Sequence, residues 1–123
     1  MKFVDMWPDF VPDNNFWYNF LSRFYKIELS DKPDYLFYSV FGDRHLKHDC
    51  IKIFQTGENQ YPDFNLCYYA IAFAPLEYGD RYLRFPLYYL YDVHFDMMLA
   101  KTVFSAADLA DKTEFCSCFN LFI

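Results

Sequence analysis

Three nearly unbroken apolar runs constrain this chain more than anything else in it: YLFYSVF (35–41), CIKIFQ (50–55) and LCYYAIAF (66–73). A strand with one wet face alternates polar and apolar residues. A run without alternation is what a strand covered on both faces looks like, and that is the habit of parallel sheets. Before these runs, KFVDM (2–6) reads as a first strand closed by Trp7-Pro8. Asp13 or Asn14 can cap a helix over NNFWYNFLSRFY, with Phe16, Trp17, Phe20, Leu21 and Phe24 on one face. YKIEL (25–29) reads as a second strand. Strand, helix, strand and further buried strands predict an α/β fold, a mostly parallel sheet with flanking helices.

RYLRFPLYYLYD (81–92) reads as an edge strand or extended segment broken by Pro86. FDMMLA (95–100) and SAADLA (105–110) read as short helices, the second capped by its serine. TEFCSCFNLFI (113–123) is a last apolar run. A hydrophobic strand in that place, with no helix after it, suggests a chain cut short of its next segment.

With 123 residues, one domain is expected, and 54% hydrophobic residues argue against disorder. The net charge of -6 repels phosphate backbones and argues against a nucleic-acid partner. Cys50, Cys67, Cys116 and Cys118 are too few for a disulfide scaffold, and Cys116-Ser117-Cys118 lacks redox or zinc spacing. All four are expected to be free thiols in a reducing cytosol. The first ten residues do not have the form of a secretory signal. No apolar run reaches the roughly 18 residues of a membrane span.

Glu58 in TGEN follows the predicted central strand, and ligands of open α/β sheets bind outside the carboxyl ends of strands. Gly57 would permit close approach or a positive φ, and Asn59 could hydrogen-bond a polar ligand. By residue type alone, a hydrophilic surface turn is the commoner reading. His45 and His48, followed by Asp49 and Cys50, have the local spacing of a metal site, but a solvated helical turn explains them as well. His94, between Asp92 and Asp96, could do acid–base work or lie on the surface. Arg81 and Arg84 could orient a sugar or a carboxylate, or pair with Asp80 or Glu77. The aromatics, 24% of the chain, could stack on sugars, although most must form core. With three glycines there is no phosphate-cradling loop, nor is there a serine nucleophile elbow.

FQTGENQYPDFNLCYYAIAFAPLEYGDRYLRFPLYY (54–89) resembles the N-terminal half of bacterial α-1,3-fucosyltransferases of glycosyltransferase family 10. Their pattern here is close to FYTGENxxPDFNxCDYAIGFDxLxFGDRYLRxPLYY. Looser similarity runs back through SDKPDYLFYSVFG to the start of the chain. The resemblance implies a GT-B enzyme with two Rossmann-like domains, the first binding the acceptor sugar and the second GDP-fucose. It implies an inverting transfer of fucose to a GlcNAc-containing glycan, with Glu58 as the base. Asn59, Arg81 and Arg84 become candidates for acceptor contacts or for holding the loop. Residues 1–111 would be the acceptor domain and 112–123 the start of the donor domain.

No metal or cofactor is implied beyond the donor substrate. The implied partners are a glycan acceptor and a donor domain from elsewhere, or a second copy joined through the C-terminal strand. The implied location is cytoplasmic, either free or peripheral to the inner membrane. The chain departs from the pattern at Gln55 (Tyr in the pattern), Tyr68 (Asp), Ala72 (Gly) and Ala74 (Asp). Two of these remove an acid beside the implied acceptor cleft. The donor half that the resemblance implies is expected to be missing from this chain. A non-catalytic glycan- or protein-binding module is therefore the alternative.

Overall fold

A computed structural model describes residues 1–90, 99–100 and 105–110. The chain divides into two compact units, Met1–Asp92 and Val93–Ile123. The first holds five parallel strands: β1 (Lys2–Val4), β2 (Tyr35–Tyr38), β3 (Ile51–Gln55), β4 (Tyr69–Ala72) and β5 (Tyr82–Arg84). They lie in chain order, with β3 in the centre. Helix α1 (Phe16–Leu21) follows β1, and 3-10 turns span Arg44–Lys47 and Leu87–Leu90. In the second unit α2 (Ala106–Ala110) is described. Ser105 and Asp108 cap it reciprocally: Asp108 Oδ2 accepts from Ser105 N at 2.7 Å and from Ser105 Oγ at 2.6 Å.

The apolar runs are continuous because both faces of the sheet are covered. Val4, Leu36, Tyr38, Phe54, Cys67 and Ala70 form one core. Phe3, Trp17 and Phe37 centre the other, with Ile53, Ile71 and Phe85 packed against them. Register accounts for the split, since Phe3 lies opposite Phe37, and Phe37 opposite Ile53. On this second face the Trp17 ring lies 5.2 Å from Phe85 and 6.2 Å from Phe37. One indole thereby joins α1 to β2 and to the β5 end of the sheet.

Helix α1 is shorter than the apolar spacing predicts. Its cap is Asn15, not Asp13 or Asn14: Asn15 Oδ1 accepts from Tyr18 N at 3.0 Å while Nδ2 donates to the carbonyls of Val11 and Pro12. The helix stops at Leu21, leaving Phe24 66% exposed. The expected strand over 25–29 does not form. β1 pairs directly with β2, and the segment makes two hydrogen bonds at the edge of β1: the Met1 ammonium to Glu28 O and Ser30 N to Met1 O. Of its apolar residues Ile27 is half-buried while Tyr25 and Leu29 are exposed, so it lacks the apolar cover that a strand there would need. The edge strand before Pro86 is β5. The proposed helix over 95–100, the run 113–123 and the boundary expected between 111 and 112 fall largely or wholly outside the described residues.

Two polar clasps hold the loops at opposite ends of the strands. Asp5, just past β1, is fully buried and adopts a left-handed φ of 55°, which aspartate tolerates better than most residues. Its Oδ1 accepts from Arg44 N and Nε, both at 3.1 Å. Its Oδ2 accepts from His45 N at 2.9 Å and from His45 Nδ1 at 2.8 Å. A carboxylate only accepts, so Nδ1 carries the hydrogen. The imidazole stacks on Tyr38 at 4.1 Å. His45 is therefore a buried structural group, not part of a solvated turn. Gly42 passes so close that a Cβ there would lie 2.6 Å from Asp5 Oδ1.

The second clasp is Arg81. Its Nε donates to Tyr68 O at 2.7 Å, and its Nη2 to Cys67 O at 2.9 Å and Phe64 O at 3.3 Å. The guanidinium also lies 5.1 Å from the Phe64 ring, itself stacked on Tyr78. Its hydrogen-bond partners among the described residues are carbonyl oxygens, not Asp80 or Glu77.

Burial pushes the Asp5 carboxyl up, but the hydrogen bonds from His45 and Arg44 outweigh it and hold it below the ordinary 3.8. A lowered folded pKa contributes stability above the unfolded value, and that contribution is lost as pH falls through the folded one. Asp5→Asn should therefore cost about 2–4 kcal/mol at pH 7 in urea unfolding. It should also flatten the decline of stability that the native chain shows below about pH 4. Arg81→Lys keeps the charge but loses the planar fork, and should cost about 2 kcal/mol in the same measurement.

Candidate active site

The carboxyl ends of β1, β2 and β3 open into a cleft of about 450 Å³. Trp7 and Phe10 border it after β1, Asn15 and Trp17 at the start of α1, and Ser39 and Phe41 after β2. Gln55, Thr56, Gly57 and Glu58 border it after β3, with Leu87 and Leu90 across from them. All belong to the unit Met1–Asp92.

The turn that carries Glu58 is anchored at both ends. Thr56 is buried, and its N–H donates to Ile71 O at 3.2 Å in a continuation of the β3–β4 ladder. Its Oγ1 accepts from Glu58 N at 3.0 Å, and Gln60 N donates to Glu58 O at 2.7 Å. Gly57 serves close approach rather than positive φ: a Cβ there would meet Leu87 Cδ1 at 2.8 Å. The result is a carboxylate at the rim of the cleft, exposed to solvent and in no ion pair among the described residues. A carboxylate in that state can accept a proton from a bound hydroxyl.

Of the residues singled out in the sequence, Glu58 lines this cleft. Asn59 is exposed beside it but is not part of the lining. Arg84 donates to Phe73 O at 3.1 Å from the edge strand, and Arg81 braces the loops at the amino ends of β4 and β5. Neither lines the cleft. The two lost acids are also elsewhere: Ala74 is buried, and Tyr68 is exposed next to Arg81. The departure that does reach the cleft is Gln55.

His45 is committed to Asp5, and no group of three His, Cys, Asp or Glu side chains among the described residues is placed to hold a metal. His94 lies outside the described residues. Cys50 and Cys67 are free, and burial pushes both thiols up, which makes them poor nucleophiles. Cys116 and Cys118 lie outside the described residues. Among the described residues no helix is long and apolar enough to cross a membrane.

Sequence reasoning missed the polar groups Gln55 and Ser39. Gln55 and Ser39 sit in or beside apolar runs, where a single polar residue reads as a strand end. A signal was available: each lies at or just past the carboxyl end of a strand, where sheet ligands bind.

Residues 1–91 match the family model described as Alpha-(1,3)-fucosyltransferase FucT N-terminal domain. The chain is 43% identical over 83 residues to the Alpha-(1,3)-fucosyltransferase FucT of Helicobacter pylori, a match covering 62% of this chain and 17% of that protein. It superposes on a crystal structure of alpha1,3-fucosyltransferase with a TM-score of 0.59 at 35% identity, covering 72% of this chain and 28% of that one. A second, with GDP-fucose, gives a TM-score of 0.53 at 38% identity over 68% of this chain and 24% of that one. The five-stranded parallel sheet is thus Rossmann-like α/β, and the chain belongs to the α-1,3-fucosyltransferase N-terminal domain family.

Proposed function

We propose that this chain is the acceptor-binding part of an inverting fucosyltransferase, which in its complete form moves fucose from GDP-fucose to a GlcNAc-containing glycan. The observation that carries the reading is Glu58, an unpaired and exposed carboxylate at the rim of a cleft, at the carboxyl end of the central strand. An acceptor hydroxyl is a poor nucleophile until a base takes its proton as it attacks. Inversion is a single in-line displacement, so one carboxylate suffices and no enzyme nucleophile is required.

The cleft supplies what holding a sugar requires. Trp7 and Phe41 offer exposed rings, and Ser39 and Gln55 are polar groups in the lining. In this reading Asn59, exposed beside Glu58, touches the part of the acceptor that projects past the base. Arg81 and Arg84 act by holding the loops. The chain spans 17% of its curated relative, and in this proposal the GDP-fucose site lies in sequence outside the matched segment. Holding donor and acceptor in line between the two parts would supply much of the acceleration.

The test fuses this chain to the donor domain of a related enzyme and assays transfer from GDP-fucose. Glu58→Gln should lower kcat by about 100-fold to 10,000-fold while acceptor affinity changes less than about threefold. A rate within a few-fold of the parent removes Glu58 as the base. Glycan binding without any turnover by the native fusion favours the non-catalytic module.

A further inference from the structure

One hydrogen-bonding position in the cleft is unfilled. Gln55, the last residue of β3, is 4% exposed, and its Oε1 meets no donor among the described residues. Protein interiors pair nearly all such groups, so an unpaired one calls for a partner from outside the chain.

The ladder determines where that amide sits. Gln55 is in register with Ile71, which packs on the α1 face of the sheet. The side chain thus comes out on that face and lines the cleft three residues ahead of Glu58. Near it, Trp7 is 41% and Phe41 42% exposed. A pyranose has apolar C–H faces to lie on such rings and a rim of hydroxyls to meet a buried amide.

We infer that Gln55 is a specificity-determining residue: its side-chain amide hydrogen-bonds a hydroxyl of the acceptor sugar other than the one Glu58 deprotonates. The inference rests on the acceptor reading of the cleft. A site built to bond a hydroxyl rejects the analogue that lacks it, because the buried group is then left unpaired.

The experiment titrates the 123-residue chain with N-acetyllactosamine and its monodeoxy analogues by calorimetry or ligand-observed NMR. One analogue should bind about tenfold or more weakly than the parent sugar. Gln55→Leu and Gln55→Met should bind that analogue and the parent alike. Their thermal midpoints should match or exceed that of the native chain, because no internal hydrogen bond is lost. Discrimination that survives in both variants overturns the inference and leaves the acceptor reading standing, as does a lowered midpoint in both. If the native chain binds none of these sugars, the acceptor reading fails and the assignment of Gln55 fails with it.

Discussion

A parallel ladder of strands three to five residues long has little stability of its own, and here it depends on cover over both faces. On one face the cover is α1 and the aromatic cluster around Trp17. On the other, no long helix is present among the described residues, and the loops themselves lie against the sheet. Loops carry backbone polar groups that must be bonded when they approach a core. Asp5 bonds the backbone of the β2–β3 loop at Arg44 and His45, while Arg81 bonds the carbonyls of the β3–β4 loop. The two ionised side chains do for the loops what a helix does for itself by its own hydrogen bonds.

That division explains which parts of the fold were legible in the sequence. Strands β2, β3 and β4 were, because burial on two faces leaves runs such as YLFY and IKIF with few polar interruptions. The segment over 25–29 misled because its Tyr, Ile and Leu alternate as a half-buried strand would, and no local pattern reveals whether a neighbouring ladder is available. The Asp5 clasp was invisible for a related reason. Its partner His45 is 40 residues away, and a histidine beside Arg44 and Lys47 looks solvated until the chain folds over it.

The site was legible in a different proportion. The placement of Glu58 followed from the strand before it, but its candidacy as a base came from the match of the surrounding segment rather than from residue chemistry. Asn59, Arg81 and Arg84 share that segment, yet similarity along a sequence does not say which way a side chain faces. Arg81 turns to carbonyls at the amino ends of the strands while Glu58 stands at the carboxyl end of β3. Gln55 reads as a strand terminus, and only the parity of the ladder brings it out on the cleft side.

The strand order has a consequence for how the molecule is made. Every ladder in the sheet joins strands that are consecutive in the chain, the longest step being that from Lys2 to Leu36. Parallel pairing still closes a loop before any contact rewards it, so each added strand carries its own entropic cost. As synthesis proceeds from the N-terminus, each new strand finds its neighbour already present. The sheet can grow one strand at a time at the ribosome. The wall facing Glu58 is the last part of the cleft to arrive, when Leu87 and Leu90 follow β5 into place.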